Sequence, residues 1–181
     1  MFLGIDTATP YLCLALVNAE GEVLARFAQR VERDHAKRII PELEQLLASA
    51  KVSKHDLQGI GVGVGPGSYT GLRVGISAAK GLAAALKIGL RGESTLAAIA
   101  WAELVDGEGT AALDARRGNV YAATYERVGE GLKEVRAPHK TPLETLQTQV
   151  DQLFLDKVPD AAFLARACSL HGPNDIQALY L

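Results

Sequence analysis

A short pattern that occurs twice most constrains the fold of this 181-residue chain. In the first copy an apolar strand ends in Ile5-Asp6, the chain turns at Pro10, and a second apolar strand follows. In the second copy the strand ends in Leu113-Asp114, and another turn leads into a second strand. A turn and a third strand come after each copy. Repetition of the whole strand–acid–hairpin unit therefore predicts two related lobes.

Helical and strand periodicities alternate around the two hairpins. The spacing predicts helices over 34–50, with Asp34 as the N-cap, and over 72–86, 94–105, 142–154 and 160–170. It predicts further strands over 57–64 and 88–92. The fold class is α/β, in two lobes of ribonuclease-H-like type. The first lobe spans 1–106, and a shortened second lobe with the C-terminal helix spans 107–181. A chance similarity between two hairpins is the alternative.

Composition narrows the classes of function. The net charge is −2, so the chain lacks the overall basic field of an autonomous nucleic-acid binder. Any contact with RNA is expected to be indirect. Cys13 lies in an apolar run and is expected to be a buried thiol, because two cysteines do not make a disulfide framework. Asp6 comes too early for a signal peptide, and no apolar stretch has membrane-spanning length. We expect a cytoplasmic protein without membrane contact.

A glycine-rich segment at 61–75 precedes the predicted helix 72–86. Such a loop offers backbone N–H groups and the positive end of a helix dipole, which favours phosphate binding. The known nucleotide fingerprints nevertheless fail. No lysine completes a Walker motif, and Pro66 and Ser68 stand where the dinucleotide pattern needs its third glycine. Generic phosphate chemistry therefore explains the segment poorly.

The same glycines form a stripe along one helix face. Small residues recur at steps of four, at Gly67, Gly71, Gly75, Ala79 and Ala83. Glycine inside a helix costs up to about 1 kcal/mol relative to alanine, which is tolerable where another helix approaches closely. That neighbour is either the chain's own first helix or a helix of a partner chain, and composition does not decide between them.

Few residues point to catalysis. Asp6 and Asp114 resemble the paired carboxylates of a metal–nucleotide site, but capping of a turn is the favoured interpretation of both. No two histidines stand at ligand spacing, and no cysteine completes a zinc set. His35 is expected at the surface or at an interface. Ser68 lacks the nucleophile-elbow pattern. The sequence predicts neither a catalytic nor a metal site.

Three motifs in order resemble the TsaB family, also called YeaZ. They are the segments 4–8 (GIDTA), 65–75 (GPGSYTGLRVG) and 113–121 (LDARRGNVY), and the closing 178–181 (ALYL) is similar to that family's ending. The resemblance implies an actin-like ATPase fold with two lobes. It also implies a non-catalytic subunit of the complex that transfers threonylcarbamoyl to adenosine 37 of tRNA. One departure is expected in the second lobe, where a strand before the last helix is missing.

The partners follow from this resemblance. It implies pairing with a catalytic TsaD-like subunit and a TsaE-like ATPase, and a homodimer when the chain is alone. The relative TsaD carries a histidine pair at a metal site, where this chain has Thr95 and Ile99, so that chemistry does not carry over. A stand-alone phosphotransferase of sugar or acetate kinase type is the runner-up. A metallopeptidase is disfavoured because the ligands are missing.

The resemblance also assigns two sets of site residues. The partner-binding set lies on two helices that the family uses for contact, here 34–50 and 71–87; its members are His35, Ile39, Leu43, Leu46, Gly71, Arg73, Gly75 and Ala79. The second set is expected to touch ATP or ADP, and only in an assembled complex, without a tightly bound cofactor; its members are Asp6, Thr7, Gly65, Gly67, Ser68 and Asp114.

Overall fold

A computed structural model describes residues 1–181 as two β-sheets with five α-helices around them. The first sheet has the strand order β3-β2-β1-β4-β5. Its strands are β1 Phe2–Asp6, β2 Tyr11–Val17, β3 Val23–Arg30, β4 Gly59–Gly63 and β5 Gly89–Glu93. The second sheet has the order β8-β7-β6-β9. Its strands are β6 Glu108–Asp114, β7 Asn119–Val128, β8 Gly131–Pro142 and β9 Leu153–Leu155.

The two sheets share one connectivity, which confirms the predicted duplication. In the first sheet β1 pairs antiparallel with β2 and parallel with β4, and β2 pairs antiparallel with β3. In the second sheet β6 pairs antiparallel with β7 and parallel with β9, and β7 pairs antiparallel with β8. Asp6 and Asp114 therefore end equivalent central strands. The second sheet has four strands against five, so the second lobe is the shorter one.

Three of the five α-helices begin with a side-chain cap. The five helices are α1 His35–Ser49, α2 Tyr69–Leu86, α3 Thr95–Glu103, α4 Leu143–Gln147 and α5 Ala161–His171. The side chains of Ser68, Ser94 and Asp160 accept hydrogen bonds from the first turns of α2, α3 and α5. These bonds satisfy backbone donors that a helix otherwise leaves unpaired. Asp34 precedes α1 as predicted, but its side chain caps nothing and instead lies 3.3 Å from Lys37 Nζ.

The first sheet is covered on both faces because its central strands are apolar on both. Leu12, Leu14 and Leu16 of β2 join the core formed with α1 and α2. The alternating residues Cys13, Ala15 and Val17 pack instead with alanines of α5. Cys13 is 1% exposed, as predicted for a buried thiol. A strand that is buried on both faces reads as a continuous apolar run, which is what residues 11–17 show.

The last helix belongs to the first sheet, although the sequence assigned it to the segment 107–181. A methyl group at Gly4 would overlap the carbonyl oxygen of Ala161, and one at Gly61 would overlap that of Leu164. The two glycines thus let the backbone of α5 lie directly on β1 and β4. The segments 1–106 and 107–181 consequently do not pack as two separate units.

The second lobe corrects two predictions. The predicted helix over 142–154 is wrong, because α4 covers only Leu143–Gln147 and β9 follows it. The sequence analysis also missed a strand before the last helix, since β9 pairs in parallel with β6, although the second sheet still has one strand fewer than the first. A three-residue strand is too short to show an alternating pattern, and its position depends on a partner strand distant in sequence. Among the five helices, none combines the length and the apolar character that crossing a membrane requires.

Candidate functional site

An open cavity of about 770 Å³ lies between the two lobes, where the ends of β1 and β6 face each other. Its walls come from the turn after β1, the start of α2 and the turn after β6. Of the predicted nucleotide contacts, Gly67, Ser68 and Asp114 line this cavity. Asp6 and Thr7 do not, because their exposed fractions are 0% and 1%. The structure therefore brings only Gly67, Ser68 and Asp114 of the expected nucleotide contacts to the cavity.

Asp6 closes the turn after β1 from inside the protein. Its Oδ1 accepts a 2.8 Å hydrogen bond from the backbone N–H of Ala8, and its Oδ2 accepts one of 2.8 Å from the Thr95 hydroxyl. Burial raises the pKa of Asp6 from 3.8 to about 6, although both hydrogen bonds act in the opposite direction. Gly63 leaves the room for this carboxyl group, since a methyl group there would overlap Oδ2.

Asp114 closes the equivalent turn at an exposed position. Its Oδ1 accepts a 2.9 Å hydrogen bond from the backbone N–H of Arg116. Its own backbone N–H donates to Oδ1 of Asp156 at 2.8 Å. Both strand-end aspartates thus accept a bond from the backbone two residues on, which confirms the turn interpretation. No group of three or more His, Cys, Asp or Glu side chains is placed to hold a metal ion.

The glycine stripe of α2 faces the chain's own turn after β1, which is neither of the neighbours weighed from sequence. The Thr7 hydroxyl donates a 2.7 Å hydrogen bond to the Gly71 carbonyl oxygen. Methyl groups at Gly71 and Gly75 would overlap Thr7, and one at Gly67 would overlap Ala8. Gly71, Gly75 and Ala79 are buried inside the chain, so their assignment as partner-binding residues is corrected.

The C-terminal segment covers the glycine loop. The backbone N–H of Leu179 donates to the Val64 carbonyl oxygen at 2.7 Å. A methyl group at Gly65 would come within 3.1 Å of the Leu179 carbonyl oxygen. The rings of Tyr180 and Tyr69 lie 5.3 Å apart at the start of α2. Gly65, expected from sequence as a nucleotide contact, is therefore enclosed by the chain's own end.

The apolar face of α1 also turns inward. Ile39, Leu43 and Leu46 are at most 5% exposed and belong to the core of the first lobe. His35 is 5% exposed, and its Nε2 lies 3.1 Å from the carbonyl oxygen of Tyr11. A surface position for His35 is therefore wrong. These four residues shape the inner side of α1, because an amphipathic helix first buries its apolar stripe against its own sheet.

The outward faces of α1 and α2 form a different surface, which the sequence prediction largely missed. On α1, Ile40 is a large apolar side chain with 43% exposure. On α2, Arg73, the only exposed member of the predicted partner set, is followed by Ser77, Gly81 and Ala84. A methyl group at Gly81 would meet nothing within 4 Å. Gly81 is not a member of the stripe formed by Gly67, Gly71, Gly75, Ala79 and Ala83. Its position in the sequence could have predicted a second face of small residues on the same helix.

The duplicated sheets and the cavity between them define an actin-like ATPase fold of two lobes. A sequence model of the family described as "TsaD: tRNA N6-adenosine threonylcarbamoyltransferase" matches residues 23–162. The chain is 34% identical over 170 residues to the "tRNA threonylcarbamoyladenosine biosynthesis protein TsaB" of Bacillus subtilis, covering 93% of this chain and 72% of that protein. The protein of the same name from Escherichia coli is 40% identical over 133 residues, covering 72% and 57%.

A solved structure agrees with these relatives. YeaZ from Pseudomonas aeruginosa superposes with a TM-score of 0.80 at 27% identity, covering 94% of this chain and 89% of that one. The chain belongs to the TsaB (YeaZ) family. It spans a little over half of the Escherichia coli relative's length.

Proposed function

We propose that this chain is a non-catalytic subunit in the biosynthesis of threonylcarbamoyladenosine at position 37 of tRNA. In this proposal it acts in the cytoplasm and supports a catalytic TsaD-like subunit, with a TsaE-like ATPase as a further partner. The names of the relatives from Escherichia coli and Bacillus subtilis support the pathway. Contact with tRNA is indirect, in keeping with a net charge of −2.

The proposal of a partner subunit rests on the outward surface of α1 and α2. Gly81 lies exposed in the interior of α2, where glycine costs about 1 kcal/mol relative to alanine and packs against nothing in its own chain. Ser77 and Ala84 are small residues on the same face of α2, and Ile40 is an exposed apolar side chain of α1. A surface of this shape admits the close approach of another helix.

A related fold supplies a suitable partner. The TsaD family model matches a region that includes both α1 and α2. A protein of that fold presents an equivalent helix pair, so two such pairs can pack around a two-fold or pseudo-two-fold axis. The same geometry serves a homodimer of the isolated chain and a heterodimer with the catalytic subunit. The two assemblies then compete for one surface.

The test uses co-expression with the TsaD-like subunit of the same genome, followed by affinity capture and size-exclusion chromatography. The double variant Ile40→Glu, Ser77→Glu places two charges on the outward surface and should abolish co-purification. Val135→Glu is the matched control, because Val135 is exposed to 45% on β8, away from both helices. Circular dichroism checks that each variant folds. Full recovery of the complex with the double variant would disprove the proposed surface.

Nucleotide belongs to the assembled complex in this proposal. Within this chain, Asp6, Thr7 and Gly65 are enclosed, whereas the stand-alone phosphotransferase alternative needs them in contact with ATP. Calorimetry of the isolated chain with ATP and Mg²⁺ should therefore give no saturable heat, and the mixture should show no phosphate transfer. Firm binding accompanied by turnover would replace the subunit proposal with the phosphotransferase.

A further inference from the structure

A second cavity, of about 790 Å³, opens on another part of the molecule. The turn between β2 and β3, the helix α5 and the turn between β7 and β8 form its walls. Its volume is in the range that takes small organic molecules. The cavity shares no lining residue with the cleft beside Asp114. It thus has no part in the nucleotide or partner sites considered above.

Arg127 is held in this cavity with an unused hydrogen-bonding group. Its guanidinium carbon lies 4.0 Å from the centre of the Trp101 ring, in a cation–π contact. Its Nη1 is buried, and no acceptor of the chain lies within hydrogen-bonding distance. A buried donor of a charged group without a partner is costly, by about 1–3 kcal/mol or more. Because Nη1 is closed off from the cavity, a ligand would meet Arg127 at the part of its side chain that lines the cavity, and its negative charge would stabilise the guanidinium.

A second guanidinium lies near the same tryptophan ring. The guanidinium carbon of Arg166 lies 5.9 Å from the same Trp101 ring. Its Nε donates to the carbonyl oxygen of Gly21 at 2.8 Å, which fixes its position. Neither Arg127 nor Arg166 forms an ion pair. Both arginines line one cavity, and a guanidinium can donate two parallel N–H bonds to a carboxylate or phosphate, so the cavity favours an oxyanion.

None of the carboxylates that line the cavity forms an ion pair with Arg127 or Arg166. Arg91 is paired with Glu93, with Nε and Oε1 2.6 Å apart. Glu20 and Glu130 lie at the tips of the two hairpin turns and are exposed. Solvent screens exposed carboxylates, so they weaken the field at Arg127 without neutralising it. Phe163 and Leu132 give the cavity an apolar wall next to its cationic end.

We propose that this cavity is a binding site for a small organic acid, whose phosphate or carboxylate group is held by Arg127 and Arg166. The oxyanion accepts from the free N–H groups of the two guanidiniums, and the organic part of the ligand lies on the apolar wall. Because the walls come from elements of both sheets, an occupied site links the two lobes. This role does not depend on the proposed partner subunit function.

Trp101 reports on the site directly, because it is the only tryptophan of the chain. Its fluorescence is followed while inorganic phosphate, acetate or phenyl phosphate is added at constant ionic strength. We expect a saturable change, with phenyl phosphate binding more tightly than inorganic phosphate because of its ring. Phosphate and acetate form separate arms, and the tighter one identifies the preferred oxyanion. Isothermal titration calorimetry checks each affinity without relying on Trp101.

Arg127→Gln should weaken binding by about tenfold or more, as for the loss of a hydrogen bond from a charged donor. Arg136→Gln removes the same charge from an exposed position on β8 outside the cavity, and should leave the affinity unchanged. If Arg127→Gln does not fold, Arg127→Lys can be used instead. It keeps the positive charge but lacks the planar guanidinium with its parallel N–H donors, so it should also weaken binding. Absence of saturation with all three ligands, or equal affinity in the Arg127 and Arg136 variants, would overturn the site.

Discussion

The Thr7 hydroxyl lies against Gly75 of α2 and donates its hydrogen bond to the carbonyl oxygen of Gly71, one turn earlier. The turn after β1 is thereby inserted into the groove that the two glycines leave on the helix. Ser68 adds a second link, since its backbone N–H donates to the Ala8 carbonyl oxygen at 2.8 Å. The glycine-rich segment is thus a packing device that fixes α2 to the end of β1.

Gly75→Ala should lower the free energy of unfolding by about 1–3 kcal/mol, because the new methyl group overlaps Thr7 in a closed core. Gly81→Ala is the control on the same helix. It should raise the free energy of unfolding by about 0.5–1 kcal/mol, since its methyl group meets no atom and removes backbone freedom. Urea denaturation of the isolated variants measures both. Equal effects of the two substitutions would refute the role assigned to Thr7.

Asp6→Asn should change how stability depends on pH. Burial raises the folded pKa of Asp6 from 3.8 to about 6, so its contribution is full below pH 3.8 and is lost as the pH rises through 6. The loss amounts to about 3 kcal/mol at 1.36 kcal/mol per pKa unit. Urea denaturation at pH 4 and pH 7.5 should show Asp6→Asn gaining stability relative to the wild type by about that amount. A difference between the two proteins that stays constant with pH would contradict the raised pKa.

Gly61→Ala should displace α5 from the first sheet. The methyl group would overlap the backbone carbonyl group of Leu164, which cannot rotate away as a side chain would. We expect a loss of about 3 kcal/mol in the free energy of unfolding, at the upper end for an overpacked core. Gly131→Ala serves as the strand control, because its nearest neighbour would be an ordinary contact at 3.5 Å. Faster proteolysis near residue 160 in Gly61→Ala alone would identify α5 as the released element.

Asn174→Ala should loosen the C-terminal segment. The Asn174 side chain accepts a 2.8 Å hydrogen bond from the Gly92 N–H and donates one of 3.1 Å to the Gly92 carbonyl oxygen. Without this pair, the amides of Gly92 and Leu179 should exchange hydrogen faster, by about tenfold for each 1.4 kcal/mol of lost protection. Asp175→Ala, an exposed neighbour, should leave both amides unchanged. Unaltered exchange in Asn174→Ala would show that other contacts hold the segment.

Local patterns predicted most elements of the first lobe. Residues 11–17 form a strand as expected, and Ser94 and Asp160 begin helices, because turn chemistry and apolar periodicity act over a few residues. The strand–acid–hairpin repeat predicted the duplication, since each copy contains its own turn.

What the sequence could not supply is which face of each helix lies inward. The periodicity of α1 shows one apolar face, but only the sheet behind it decides that Ile39 is buried while Ile40 is exposed. The stripe of α2 predicts a close neighbour without indicating that Thr7 is that neighbour. The same limit applies to β9 and α5. The position of β9 depends on its pairing with β6, and that of α5 depends on its packing on β1 and β4, which are far away in the sequence. The cavity beside Trp101 joins residues from both ends of the chain, and no local motif marks it.

The placement of α5 has a consequence for synthesis of the protein. The helix that covers Gly4 and Gly61 is made from residues 161–171, far downstream of β1 and β4 in the sequence. A nascent polypeptide that has emerged only as far as β5 carries a sheet with one face still open to solvent. We therefore expect the first sheet to complete its core only after residues 161–171 have been synthesised.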